Sequence, residues 1–187
     1  SATPALSAPK EIMNTLKNDS LIDFPEIKNI SCQLKNVPDA LSGTSACAFY
    51  LVPPIDSTKD NIIYINKSRV DSNELFSTLA HEGYPGHLYQ TIFFGNTEPS
   101  DIRYLITSSG YIEGWATYIE SYGYQYASNY LDDNDGSDYV CLTWLNRSIN
   151  LCIYSLLDIG IHYYGWDRAS LLEFLENYGI KDQDVVD

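Results

Sequence analysis

The sequence is short of positive charge, methionine and histidine, and it has no long apolar run. Lys and Arg number 11 against 25 Asp and Glu, a formal net charge of −14. Such a field repels phosphate backbones, and no basic cluster reverses it locally, so nucleic acid is not an expected partner. The acidic excess reads as a solvated surface, with attraction of a cationic peptide or a metal as the functional alternative. No stretch approaches the roughly 18 apolar residues of a membrane-spanning helix. The four cysteines, Cys32, Cys47, Cys141 and Cys152, form no C-x-x-C pair and lack the paired spacing of a structural zinc site. Buried thiols are therefore expected, and on a shared helix Cys141 and Cys152 would stand about 16 Å apart, too far for a disulfide. The single methionine is Met13. Ser1 is accordingly expected to result from processing or truncation, with any signal peptide or lipid anchor upstream and the compartment left open.

What is present is enough for a core. Apolar and aromatic residues make up 44% of 187 positions, and 16 tyrosines supply rings with an apolar body and a polar tip. One domain over residues 1–187 is expected, mainly α with a small β-hairpin. Ala8 to Asn18 has helical spacing, and Asp23-Phe24-Pro25 discourages continuation. The runs from Ala48 to Val52 and Asn61 to Asn66 read as two strands. Asp71 with Glu74 has capping-box spacing before a helix that runs into His81-Glu82. Further helices are expected over Asp101 to Tyr122 and from Ser137 to about Tyr163. The latter would carry a broad apolar face of Leu142, Leu145, Ile149, Cys152, Ile153, Leu156 and Leu157. A last helix, Arg168 to Tyr178, would be capped by Asp167 and stopped by Gly179.

Two of the three histidines fall within seven residues, in His81-Glu82-Gly83-Tyr84-Pro85-Gly86-His87. In the zinc-helix pattern H-E-x-x-H, a spacing of four puts both imidazoles on one helix face beside a glutamate that activates water. Here the spacing is six, and an ideal helix would rotate His87 about 240° away from His81. Pro85-Gly86 could form a local bulge that re-aims His87 beside His81. Otherwise His81 packs near a helix end and His87 sits on a surface turn. Glu113, on a separate expected helix, would complete two imidazoles and one carboxylate, the usual catalytic zinc set with an open fourth position. Glu120, two turns further on, reads as a partner orienting a ligand histidine, or as a plain surface glutamate. His162 closes an otherwise apolar helix. It reads either as a hydrogen-bonded or dipole-facing histidine or, with Tyr163 and Tyr164, as a donor to a tetrahedral oxyanion, with Asp158 orienting its ring. No P-loop or Gly-x-Ser-x-Gly elbow competes.

The motif from His81 to His87, ending in Gln90, resembles the H-E-x-x-P-G-H signature of the bacterial family known as domain of unknown function 885. Asp23-Phe24-Pro25, Tyr50 to Asn66, Glu113-Gly114-Trp115-Ala116 with Tyr118 and Glu120, Arg147, and Asp158 through Trp166 follow in the same order, so the likeness covers nearly the whole chain. That family is similar to helical, zincin-like peptidases of the thimet-oligopeptidase and carboxypeptidase Taq type. The resemblance implies one zinc ion held by His81, His87 and Glu113, with Glu82 as general base and a peptide as substrate. The two extra residues between the histidines depart from those peptidases. Family members are usually much longer, which implies that this chain is the C-terminal catalytic portion and that a missing N-terminal part forms the opposite cleft wall. Two other functions fit the residues: a noncatalytic domain that binds a peptide or partner, and a metal-dependent hydrolase of another amide or ester.

Overall fold

The computed structural model describes residues 8–28, 30–55, 60–69, 74–131 and 136–182. These form two compact units, Ser1–Cys141 and Leu142–Asp187. The architecture is mainly helical, with one small three-stranded sheet.

In the first unit, α1 (Pro9–Asp19) opens on a proline, tolerated there because a first-turn N–H has no helical acceptor. It buries Ile12, Met13 and Leu16, the expected face. A 3-10 turn, Ser20–Ile22, follows. Asp23-Phe24-Pro25 does more than end the helix: the Phe24 ring packs edge-on against Tyr89, Trp115 and Tyr122, and the Pro25 carbonyl accepts from the Tyr89 hydroxyl at 2.8 Å.

The sheet has the order β1-β3-β2. β1 (Cys32–Asn36) runs parallel to β3 (Asn61–Ile65), and β2 (Ala48–Leu51) pairs antiparallel with β3, with Ala48 opposite Ile65 and Leu51 opposite Ile62. A short helix, α2 (Asp39–Ser42), lies between β1 and β2. The antiparallel pair is as expected from sequence. β1 is an addition, because Cys-Gln-Leu-Lys-Asn has weak strand propensity and owes its conformation to the ladder with β3. Along β3 the alternate residues Asn61, Ile63 and Ile65 are buried, so one sheet face meets the core.

Behind that face runs α3 (Leu75–Glu82), which buries Leu75, Phe76, Leu79 and Ala80. The Asp71 cap expected for it lies outside the described residues. Next come α4 (His87–Gly95), a short α5 (Ile102–Leu105) and α6 (Ser109–Ala127). The single helix expected from Asp101 to Tyr122 is thus divided: Ile106 and Ser108 adopt non-helical backbone angles, and α6 starts afresh as Tyr111 and Ile112 both donate to the Ser108 carbonyl. α6 also runs five residues further than expected, to Ala127. It packs closely on α3, since a Cβ on Gly123 would lie 2.7 Å from the Ala80 Cβ. Leu79, Leu88 and Ile119 are fully buried at the centre of this unit.

The long helix α7 (Gly136–His162) begins in the first unit and continues through the second, where α8 (Arg168–Glu176) follows. Asp167 caps α8 as expected, accepting from the Ser170 amide at 2.9 Å, and Gly179 takes a positive φ of 78° beyond its end. The expected burial of the α7 face is not found. Leu142, Leu145, Ile149 and Leu156 are exposed, and of the seven residues named only Ile153 is buried. A unit this short has little besides α8 to pack on that face. The expectation of buried thiols fails at Cys141 and Cys152, both exposed; Cys32 and Cys47 are partly buried. Among the described residues no helix is long and apolar enough to cross a membrane.

Candidate metal centre

The six-residue spacing is resolved by a complete break between two helices, not by the bulge that the proline-glycine pair suggested. α3 ends at Glu82 and α4 begins at His87, with Gly83 to Gly86 between them and a cis Tyr84–Pro85 peptide. Two backbone hydrogen bonds span six residues each: Gly86 N–H to the Ala80 carbonyl at 3.0 Å, and Tyr89 N–H to the Gly83 carbonyl at 3.2 Å. The loop therefore closes back on the last turn of α3, and the start of α4 returns to where α3 stopped. Gly86 is required by close approach: a Cβ there would fall 1.8 Å from the His81 carbonyl oxygen. The imidazoles of His81 and His87 come together edge to face, with ring centroids 4.7 Å apart.

Among the described residues, His81, Glu82 and His87 form a group whose ligand atoms all lie within 4.8 Å of one another. α6 brings Glu113 to the same point, its Oε2 being 3.7 Å from Nε2 of His81 and 3.7 Å from Nε2 of His87. Glu82 sits differently. Its Oε1 is 3.9 Å from His81 Nε2, while its Oε2 accepts a 2.7 Å hydrogen bond from the Tyr50 amide of β2. One carboxylate thus faces both histidines equally, and the other is anchored to a strand beside them. Glu113 is largely exposed and free to adjust its rotamer; Glu82 is mostly buried.

Behind His81 stands Glu120, buried to 3% exposure, whose Oε1 lies 2.8 Å from Nδ1. With the proton on Nδ1 donated to this carboxylate, the lone pair of Nε2 points towards His87 and Glu113. Of the two readings left open for Glu120, a plain surface glutamate is excluded by its burial against His81. Burial works against charge on His81, but the Glu120 hydrogen bond and the charges of Glu82, Glu120 and Glu113 prevail and lift its pKa. Burial, helped by His81, lowers that of His87 against the pull of Glu113, which favours a neutral ring with a free lone pair. Burial also pushes the Glu82 carboxyl above the usual range, with His81 and the Tyr50 amide opposing.

His162, Tyr163 and Asp158 belong to the second unit. There His162 Nε2 lies 3.5 Å from Asp158 Oδ1, with both side chains about three-quarters exposed. Tyr163 and Tyr164 are exposed as well. Two groups that touch the centre carried no role in the sequence reading. The Tyr50 amide is backbone and left no residue-type signal. Trp115 stands two residues from Glu113, which on a helix turns it to another face; its indole N–H donates to the Pro85 carbonyl at 2.9 Å.

No curated protein matches the chain. Among solved structures it is similar to one described as "the putative lipoprotein from Colwellia psychrerythraea", with a TM-score of 0.69 and 20% identity. That likeness covers 90% of this chain and 28% of the other, so the chain spans little more than a quarter of that protein's length, and it bears on the fold alone. The family model described as bacterial protein of unknown function (DUF885) matches residues 6–187, from ahead of α1 to the last residue, and the chain therefore belongs to that bacterial family.

Proposed function

We propose that the chain carries the zinc-binding and catalytic residues of a metallopeptidase. The observation that carries the reading is the position of Glu113 Oε2, 3.7 Å from both imidazole Nε2 atoms. Ligand atoms about 2.1 Å from a tetrahedral zinc stand about 3.4 Å apart, close to the two 3.7 Å separations that Glu113 keeps from the imidazoles. The donor set of two imidazoles and one carboxylate suits zinc and leaves a fourth position open. The buried Glu120 behind His81 is the kind of carboxylate partner that metal-bound histidines keep.

A zinc ion held there would supply Lewis-acid activation of water and polarisation of a substrate carbonyl. Glu82 would take the proton of the attacking water and pass it to the leaving amine. Its hydrogen bond to the Tyr50 amide holds one oxygen fast and leaves the other, Oε1, on the side of the histidines.

The test is a metal and activity measurement on the same samples. Stoichiometric zinc, lost in His81→Ala and His87→Ala, together with hydrolysis of peptides that Glu82→Gln abolishes without loss of zinc, is the expected result. No metal at micromolar zinc would favour the noncatalytic peptide-binding alternative. Zinc with turnover of non-peptide amides or esters alone would favour a hydrolase of another class.

A further inference from the structure

Pro85 lies ahead of α4, whose first helical residue is His87, so its carbonyl has no donor within that helix. The Tyr89 N–H, in the first turn of α4, bonds instead to Gly83, six residues back. The Pro85 carbonyl therefore needs a donor from another element, at a point where the proline side chain is fully buried. The partner it has is the indole N–H of Trp115, at 2.9 Å. The Trp115 ring is itself held: it stacks on Tyr89, with an interplanar angle of 12°, and meets Phe24 edge-on at 5.9 Å. Tyr89 in turn is tied through its hydroxyl to the Pro25 carbonyl.

We infer that Trp115 is a positioning residue for His87: its indole N–H satisfies the Pro85 carbonyl and fixes the Pro85-Gly86 turn from which His87 projects. α6 then sets the centre three times over. Glu113 meets both imidazoles, Glu120 orients His81 through Nδ1, and Trp115 orients His87 through the backbone. Trp115 acts through its N–H donor, and the ring alone, which Phe would largely keep, does not suffice. A tyrosine at this position would place its donor differently, on a longer arm in line with the ring. The consequence for metal affinity rests on the zinc reading above; the consequence for the orientation of His87 does not.

Two replacements separate the donor from the ring: Trp115→Phe, and substitution of Trp115 by its benzothiophene isostere, which keeps the bicyclic shape and lacks the N–H. Zinc affinity, the visible spectrum of the cobalt(II)-loaded protein, and the imidazole NMR resonances of His87 in metal-free protein are read for each, with melting temperature as the check on folding. The isostere, folded as the parent, should bind zinc about 10–100-fold more weakly, as do proteins that lose a ligand-orienting partner. The cobalt spectrum should change, and the metal-free His87 resonances should move while those of His162 stay. An isostere that leaves His87 resonances, cobalt spectrum and zinc affinity at parental values would overturn the role. If the parent itself takes up neither zinc nor cobalt, the peptidase reading falls, and the metal-free His87 resonances alone decide whether Trp115 positions that ring.

Discussion

Replacing Gly86 by alanine should separate the two histidines while touching neither. The methyl would lie 1.8 Å from the His81 carbonyl oxygen and 2.4 Å from that of Ala80, both backbone atoms that no side-chain rotation can move aside. Since 3.0 Å is the practical floor for such a contact, the turn must open by about 1.2 Å, enough to break the Gly86 N–H bond to Ala80. Metal ligands tolerate departures of only about 0.2 Å, so His87 would leave the set. Groups that merely orient a ligand cost about 10–100-fold in affinity when removed. Loss of a ligand should therefore raise the zinc Kd at least a hundredfold, or about 2.7 kcal/mol. The assay is competition for zinc against a chromophoric chelator, with circular dichroism to verify the fold. Gly114→Ala is the control: it neighbours Glu113 in mid-α6, nothing lies within 4 Å of its added Cβ, and exchange of a helical glycine for alanine should stabilise by about 0.5–1 kcal/mol with zinc affinity kept. A folded Gly86→Ala protein that binds zinc as tightly as the parent would refute the claim that this close approach sets the histidine pair.

Glu120→Ala should weaken zinc binding about 10–100-fold and leave Glu82-dependent proton transfer in place, read as a zinc Kd that rises more than kcat falls at saturating zinc. Tyr126→Phe removes the 2.7 Å bond from its hydroxyl to Asp23 and should cost about 1–2 kcal/mol by urea denaturation, with metal binding unchanged. Leu79→Ala, at a fully buried α3 position, should cost about 2–5 kcal/mol. Stability should fall at alkaline pH: burial raises the hydroxyl pKa of Tyr50, Tyr84 and Tyr126 above the ordinary tyrosine value, so their contribution is whole below pH of about 10 and is lost as pH climbs from there towards their folded-state values. Melting temperatures from pH 8 to 11 check this, and a flat profile would contradict it.

The residues around His81 show how far a linear reading reaches. Residue types alone pointed to His81, Glu82, His87, Glu113 and Glu120, because few side chains hold a divalent ion or move a proton at neutral pH, and the histidines are scarce. The periodicity of Ile12, Met13 and Leu16, and of Leu75, Phe76 and Leu79, marked α1 and α3 because a buried helical stripe is written in the chain itself. The antiparallel pair β2 and β3 was marked in the same way by β-rich runs.

What tertiary structure alone decided was direction. Nothing in a spacing of six tells whether Pro85-Gly86 bulges a helix or breaks it, since that depends on whether the Ala80 and Gly83 carbonyls can accept across the loop. β1 exists through its ladder to β3, and the exposed apolar residues of α7 show that a stripe written for burial is buried only where another surface meets it. The sequence determined which chemistry the chain can carry, through the identity of its donors. The fold determined that those donors converge, because convergence is a property of backbone hydrogen bonds and packing between segments up to about forty residues apart, as His81 and Glu120 are.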